Sequence, residues 1–132
     1  MKKLIPTIMG CVLAGLLLAA TAQASTEPKA APVVEIRIDI SSQAPAVNVN
    51  GWPYGRWMVS TARDEGYHTP RGSRRPFAMK KIHYSRKYDN SPMSNSIFFL
   101  GGYATHGTNY LRSLGRPASH GCIRATRMAI TN

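Results

Sequence analysis

Between Val33 and Ile40 apolar and polar residues alternate without a break. Val34, Ile36, Ile38 and Ile40 fall on one face, and Glu35, Arg37 and Asp39 on the other. A period of two marks a half-buried β-strand, because successive side chains leave a pleated backbone on opposite sides. Pro45 interrupts the pattern, Val47 and Val49 resume it, and Asn50-Gly51 is a turn signal. Trp57–Ser60, Phe77–Ile82 and Ser96–Leu100 read as further strands, the last punctuated by Gly101-Gly102. Residues 61–76 form a loop dense in Gly, Pro and Arg. Helix signal is poor: Thr108–Leu114 is a short candidate, and a second starts at Arg124. The pattern predicts a mainly β domain with one or two short helices.

The domain is shorter than the chain. Lys2 and Lys3 open the sequence, Ile8–Ala20 is apolar, and Ala22-Gln23-Ala24 supplies the small-x-small pattern that a signal peptidase reads. Residues 1–24 are expected to be a signal peptide cleaved before Ser25, so that the membrane is met only before cleavage. An uncleaved anchor is disfavoured by Pro6, Thr7, Thr21 and Gln23, which shorten the apolar run below a comfortable span. Lipid attachment at Cys11 is disfavoured because Cys11 precedes most of that run. Residues 25–32 read as a flexible leader and 33–132 as the folded domain. Cleavage turns 132 residues into 108 and a formal charge of +11 into +9, since Lys2 and Lys3 are lost. Of two cysteines only Cys122 remains, which excludes a disulfide scaffold.

The charge is unevenly placed. Residues 66–132 hold eleven basic residues and one acid, Asp89. Interleaved aromatics (Phe77, Tyr84, Tyr88) would fit nucleic acid in a cytosolic chain, but export argues against that partner. The anionic polymer outside a bacterial membrane is the cell wall, whose peptide stems carry carboxylates. A basic domain is drawn to such a polymer.

Chemistry concentrates in residues 104–124. A thiol becomes a strong nucleophile only as thiolate, and an imidazole can take its proton. His106 and His120 both lie within sixteen residues of Cys122, and Arg116, Arg124 and Arg127 add positive charge. Gly121 lets the backbone pass close to a bound carbonyl, so that the Cys122 amide N–H could face an oxyanion. No carboxylate follows Asp89, so a backbone carbonyl is the simplest group to orient a catalytic histidine. Zinc at His106, His120 and Cys122 is an alternative, although the H-x13-H-x-C spacing matches no structural zinc pattern.

His106 followed by Ser119-His120-Gly121-Cys122 resembles the motif of L,D-transpeptidases, the YkuD-type catalytic domain. Asn50-Gly51, Trp57–Thr61, Thr69-Pro70-Arg71-Gly72 and Ser96–Phe99 also look like segments of that family, so the resemblance spans about residues 33–127. It implies a sandwich- or barrel-like β fold with no cofactor. Cys122 would be the nucleophile and His106 the general base and acid, oriented by the carbonyl of Gly107. Gly121 would shape the oxyanion loop, and Ser119, His120, Arg124 and Tyr103 would contact substrate or brace the loop. The implied substrate is a tetrapeptide stem of peptidoglycan, cut between diaminopimelate and D-Ala, with a second stem, a wall-anchored protein or water as acceptor. The implied place of work is the periplasm or cell wall. The family domain usually continues past this motif with a helix and a strand, so the C-terminal part is expected to be missing. A non-catalytic, basic wall-binding module is the second expectation.

Overall fold

The computed structural model describes residues 30–126. The expected signal peptide, the leader up to residue 29, and Arg127 lie outside the described residues. Every element falls in one compact unit, Ala31–Asn132. The strands are β1 (Val34–Asp39), β2 (Ala44–Val49), β3 (Trp52–Arg56), β4 (Val59–Ser60), β5 (Ala78–Ser85), β6 (Ser91–Leu100), β7 (Tyr103–Gly107) and β8 (Ile123–Ala125). They build a three-stranded sheet, β1-β2-β3, and a five-stranded sheet, β4-β8-β7-β6-β5. All neighbours are antiparallel except β7 and β8. Among the described residues no helix is long and apolar enough to cross a membrane. The mainly β expectation holds.

In the small sheet the Asn50-Gly51 signal closes a two-residue hairpin. Both residues have positive φ, 52° and 82°, as a type I′ turn requires. So tight a turn sends the chain straight back, and Trp52 pairs with Val49. The returning strand is therefore Trp52–Arg56, which the sequence pattern did not reveal. Of the expected strand Trp57–Ser60 only Val59–Ser60 forms, and it joins the other sheet. Pro45 lies inside β2, opposite Ile38. It is tolerated there because β3 joins β2 only from Ala46 onward, which leaves Pro45 paired on one flank. The alternating face of β1 is not uniformly half-buried. Val34 and Ile36 are exposed, and burial rises only toward Ile38, which packs on Val59, Ile123 and Ala125 of the large sheet.

The large sheet is longer and flatter in sequence signal than expected. β5 and β6 pair from Ala78↔Phe98 to Ser85↔Ser91, well beyond the apolar runs that mark them in the sequence. The tip, residues 86–90, turns through Asp89 and Asn90, both at positive φ, which short polar side chains accept best. The expected helix at Thr108–Leu114 reduces to a 3-10 turn, Leu111–Ser113. No helix starts at Arg124. Arg124 is the middle of β8, because Ile123 and Ala125 on either side of it are buried against Val59.

Register sorts the large sheet into two faces. His106 pairs with Arg124, and Phe98 with Ala104. With alternation, Phe98, Ala104, His106, Cys122 and Arg124 share one face, and Phe99, Ile123 and Ala125 the other. The second face meets Ile38 of the small sheet. The first carries its own apolar cluster of Met93, Phe98 and Ala104, with Ala78 and Cys122 packed on it.

Candidate active site

The parallel pairing of β7 with β8 brings two distant stretches of chain to one level. Residues 108–122 leave β7 and return beside it, so that Cys122, just ahead of β8, and His106, near the end of β7, line one cavity of about 540 Å³. Arg124, Ser119 and His120 line it too, and Gly107 and Gly102 contribute backbone.

His106 is 7% exposed. Its Nδ1 lies 2.9 Å from the carbonyl oxygen of Gly107. A carbonyl only accepts, so Nδ1 carries the hydrogen and Nε2 keeps the free lone pair. Burial, reinforced by the Arg124 charge, holds the His106 pKa below the usual range and against the pull of Gly107. Burial pushes the Cys122 thiol up, opposed by the backbone of Ala104 and by Arg124. The resting pair is thus neutral thiol and neutral imidazole. Sγ also makes a weak contact with Gly102 O at 3.8 Å.

The loop before Cys122 is fixed by two hydroxyls and one side-chain amide. Ser119 Oγ accepts from Gly121 N–H at 3.0 Å and donates to Cys122 O at 2.6 Å. Thr69 Oγ1 accepts from Ala62 N–H and donates to Gly121 O, each at 2.9 Å. Gln43 Oε1 accepts from Thr61 N–H at 2.8 Å, and Thr61 O accepts from Ala118 and Ser119 N–H. The last chain ties the loop to the bend between β1 and β2. Gly121 has φ of 126°, and a Cβ there would stand 2.6 Å from Tyr103 Cε1 and 2.9 Å from His68 O. No residue with a side chain fits without moving backbone.

His120 lines the cavity but is engaged by Arg63, Tyr67 and Tyr88. Arg63 Nη2 donates to its Nε2 at 3.1 Å, Tyr88 stacks on it at 4.6 Å, and Tyr67 meets it edge-on at 4.7 Å. Desolvation, then the Arg63 charge, lowers its pKa. Arg124 donates to Ala118 O at 3.3 Å and lies over the Tyr110 ring. Tyr103 is elsewhere: its ring backs Gly121 and His68 from the other face of the sheet, and it does not line the cavity. Among the described residues no three His, Cys, Asp or Glu side chains group as metal ligands, so the zinc alternative at His106, His120 and Cys122 is not supported.

Sequence reasoning missed Thr69, Gln43, Arg63, Tyr67 and His83. The Thr69–Gly72 segment was visible as a motif, but its hydroxyl partner is fifty-two residues away. His83, on β5, lines the cavity and lies edge-on to Phe98 at 5.1 Å.

The family profile described as the YkuD L,D-transpeptidase catalytic domain matches residues 34–130. This chain belongs to the YkuD family. An L,D-transpeptidase from Mycobacterium smegmatis matches the YkuD fold seen here with a TM-score of 0.67 and 21% identity, over 75% of this chain and 52% of that one. An L,D-transpeptidase from Xylanimonas cellulosilytica gives 0.66 and 26%, over 78% and 54%. L,D-transpeptidase 3 from Mycobacterium tuberculosis, in complex with a faropenem-derived adduct, gives 0.64 and 23%, over 73% and 52%. The chain thus spans about half the length of the solved structures it matches. No curated protein sequence matches significantly.

Proposed function

We propose that this YkuD domain is an exported peptidoglycan L,D-transpeptidase with Cys122 as nucleophile. The observation that carries the reading is the shared cavity of a thiol and a neutral imidazole whose Nδ1 is occupied by Gly107 O. As a stem carbonyl approaches, Sγ attacks its carbon while the thiol proton passes to His106 Nε2. The Cys122 amide N–H stabilises the oxyanion. Collapse expels the amine of D-Ala, which takes the proton from His106, and leaves a thioester on Cys122. An acceptor amine, from a second stem or a wall-anchored protein, then attacks the thioester. It gives up its proton through His106, and the thiol is restored. A pair that is neutral at rest suits this cycle, because the imidazole must first accept and then donate. Residues 1–24 act as the export signal, and the working compartment is the periplasm or cell wall.

Faropenem, found as an adduct on a related fold, is the probe. Intact-mass analysis of the folded chain after incubation should show one adduct, located on Cys122, and none on Cys122→Ala. A folded wild-type sample whose thiol stays unmodified refutes the cysteine mechanism. Stem turnover, read as release of D-Ala and formation of cross-linked dimers, tests the substrate. Salt-sensitive pelleting with isolated peptidoglycan that survives Cys122→Ala, without any acylation of the wild type, would instead support the basic wall-binding module.

A further inference from the structure

The cavity around Cys122 is electrostatically one-sided. Three permanent cations line it, Arg86, Lys87 and Arg124, and among the described residues no Asp or Glu does. The two ion pairs among the described residues, Arg37–Glu35 and Arg63–Glu65, lie outside the cavity lining. Arg124 uses one nitrogen on Ala118 O. Lys87 lies 5.5 Å from the Tyr88 ring centre. Neither Arg86 nor Lys87 meets a carboxylate among the described residues.

These two cations are not on a loose loop. They occupy the β5–β6 tip, which Ser85↔Ser91 pairing closes and which Tyr88 N–H→Ser85 O (3.1 Å) and Ser91 N–H→Tyr88 O (2.8 Å) cross-brace. Tyr88, between the cations and the Asp89-Asn90 turn, stacks on His120 at 4.6 Å with an interplanar angle of 14°. His120 is two residues from the nucleophile. The tip is therefore docked on the loop that carries Cys122, and Arg86 and Lys87 are held in the cavity lining. Unpaired cations in a partly desolvated concavity attract anions and strengthen charge-assisted hydrogen bonds to carboxylate.

We infer that the Arg86–Lys87 tip is a specificity determinant that selects an acyl donor whose side chain ends in a free carboxylate over its amidated counterpart. The inference rests on the transpeptidase reading for the identity of the donor. The selectivity of the cavity for anions does not depend on that reading. A stem ending in diaminopimelate–D-Ala bears two carboxylates, one at the D-Ala terminus next to the reacting carbonyl and one, beside an ammonium, at the end of the diaminopimelate side chain three methylenes away. Arg124, two residues from Cys122, and the tip cations, farther along the cavity lining, supply charge for both. Amidation removes the second and leaves the first, so it isolates what the tip reads.

Two measurements test this. The first alkylates Cys122 with iodoacetate and with neutral iodoacetamide, and compares the rate ratio with that of N-acetylcysteine amide. The cavity should raise the iodoacetate-to-iodoacetamide ratio above the free-thiol value. Arg86→Gln with Lys87→Gln should lower it roughly three- to ten-fold, the range expected for two exposed charges acting together. Raising the salt to 1 M should shrink the difference, since the screening length then falls to about 3 Å. The second compares kcat/KM for tetrapeptide stems with free and amidated diaminopimelate. The free form should be preferred by about ten-fold, and the double variant should lose most of that preference. A ratio no higher than that of the free thiol, or a ratio indifferent to the double variant, overturns the inference whatever the stems do. Equal use of the two stems overturns it too. Should Cys122 alkylate with the expected ratio while no stem acylates it, the transpeptidase reading falls and the anion-selective cavity stands.

Discussion

The two sheets follow one rule of alternation to opposite ends. In the small sheet the apolar face is ordered by β1–β2–β3 pairing, yet Val34, Ile36, Trp52 and Tyr54 are exposed. In the large sheet both faces are occupied: Val59, Ile123 and Ala125 form a core on one, and Met93, Phe98 and Ala104 a core on the other. The candidate site sits on the second of these. Period-two patterning thus establishes a strand, and the elements that stack on it decide whether the apolar side is buried. Where both sides are covered, the backbone is held firmly enough to carry reacting groups.

That contrast can be broken from the site outward. His106→Ala should slow acylation of Cys122 by faropenem by about 10²- to 10⁴-fold, the usual contribution of a general base. A variant within three-fold of wild type would show that the thiol activates itself. Met93→Ala removes a buried side chain from the large sheet and should cost about 2–5 kcal/mol in denaturant unfolding. Ile36→Ala, at the exposed end of the apolar face of β1, should cost less than about 1 kcal/mol. Equal losses would erase the distinction between the sheets.

Thr69→Val tests the link between the loop at 67–72 and the nucleophile. It leaves Ala62 N–H and Gly121 O without their partner, a penalty of about 1–3 kcal/mol. Acylation should slow with it, and Thr69→Ser, which keeps the hydroxyl, should restore both. A Thr69→Val enzyme that acylates at the wild-type rate would show that Ser119 alone holds the loop.

The smallest effect is the pH dependence of stability. The folded-state pKa of His106 and of His120 is lowered. As pH falls below the unfolded value of about 6.5, the unfolded chain takes up protons that the folded chain resists. Stability should therefore be full above that pH and decline below it. His106→Gln should flatten the decline in unfolding midpoints between pH 7 and pH 5. An unchanged slope would mean that His106 charges in place. Asp39 acts at a lower pH: four hydrogen bonds from Ser41 and Ser42 hold its pKa down to about 2, so its contribution is lost only as pH falls toward that value.

Much of the site was legible before any coordinates, because its parts are local in sequence. His106-Gly107 is a dipeptide whose side chain bonds the next carbonyl, and Ser119–Cys122 closes on itself through one hydroxyl. The Asn50-Gly51 turn was legible for the same reason. What the sequence hid is non-local. Thr69 reaches Gly121, Gln43 reaches Thr61, and Tyr88 reaches His120, none of which leaves a pattern along the chain. Tyr103 was expected at the substrate from the family resemblance. Alternation along β7 turns it to the face opposite His106. The strands β5 and β6 were underestimated because their polar halves, around His83 and Ser94, show no apolar run although they pair as well as the rest.

The raised pKa of Cys122 has a consequence for the life of the protein before it works. In the unfolded chain that thiol is ordinary and open to any oxidant it meets. Once β8 docks beside β7, burial holds the sulfur protonated, and the sulfenic acid route that begins at thiolate is slowed. Folding therefore shields the Cys122 thiol, and an oxidant should damage the chain mainly before the large sheet is complete.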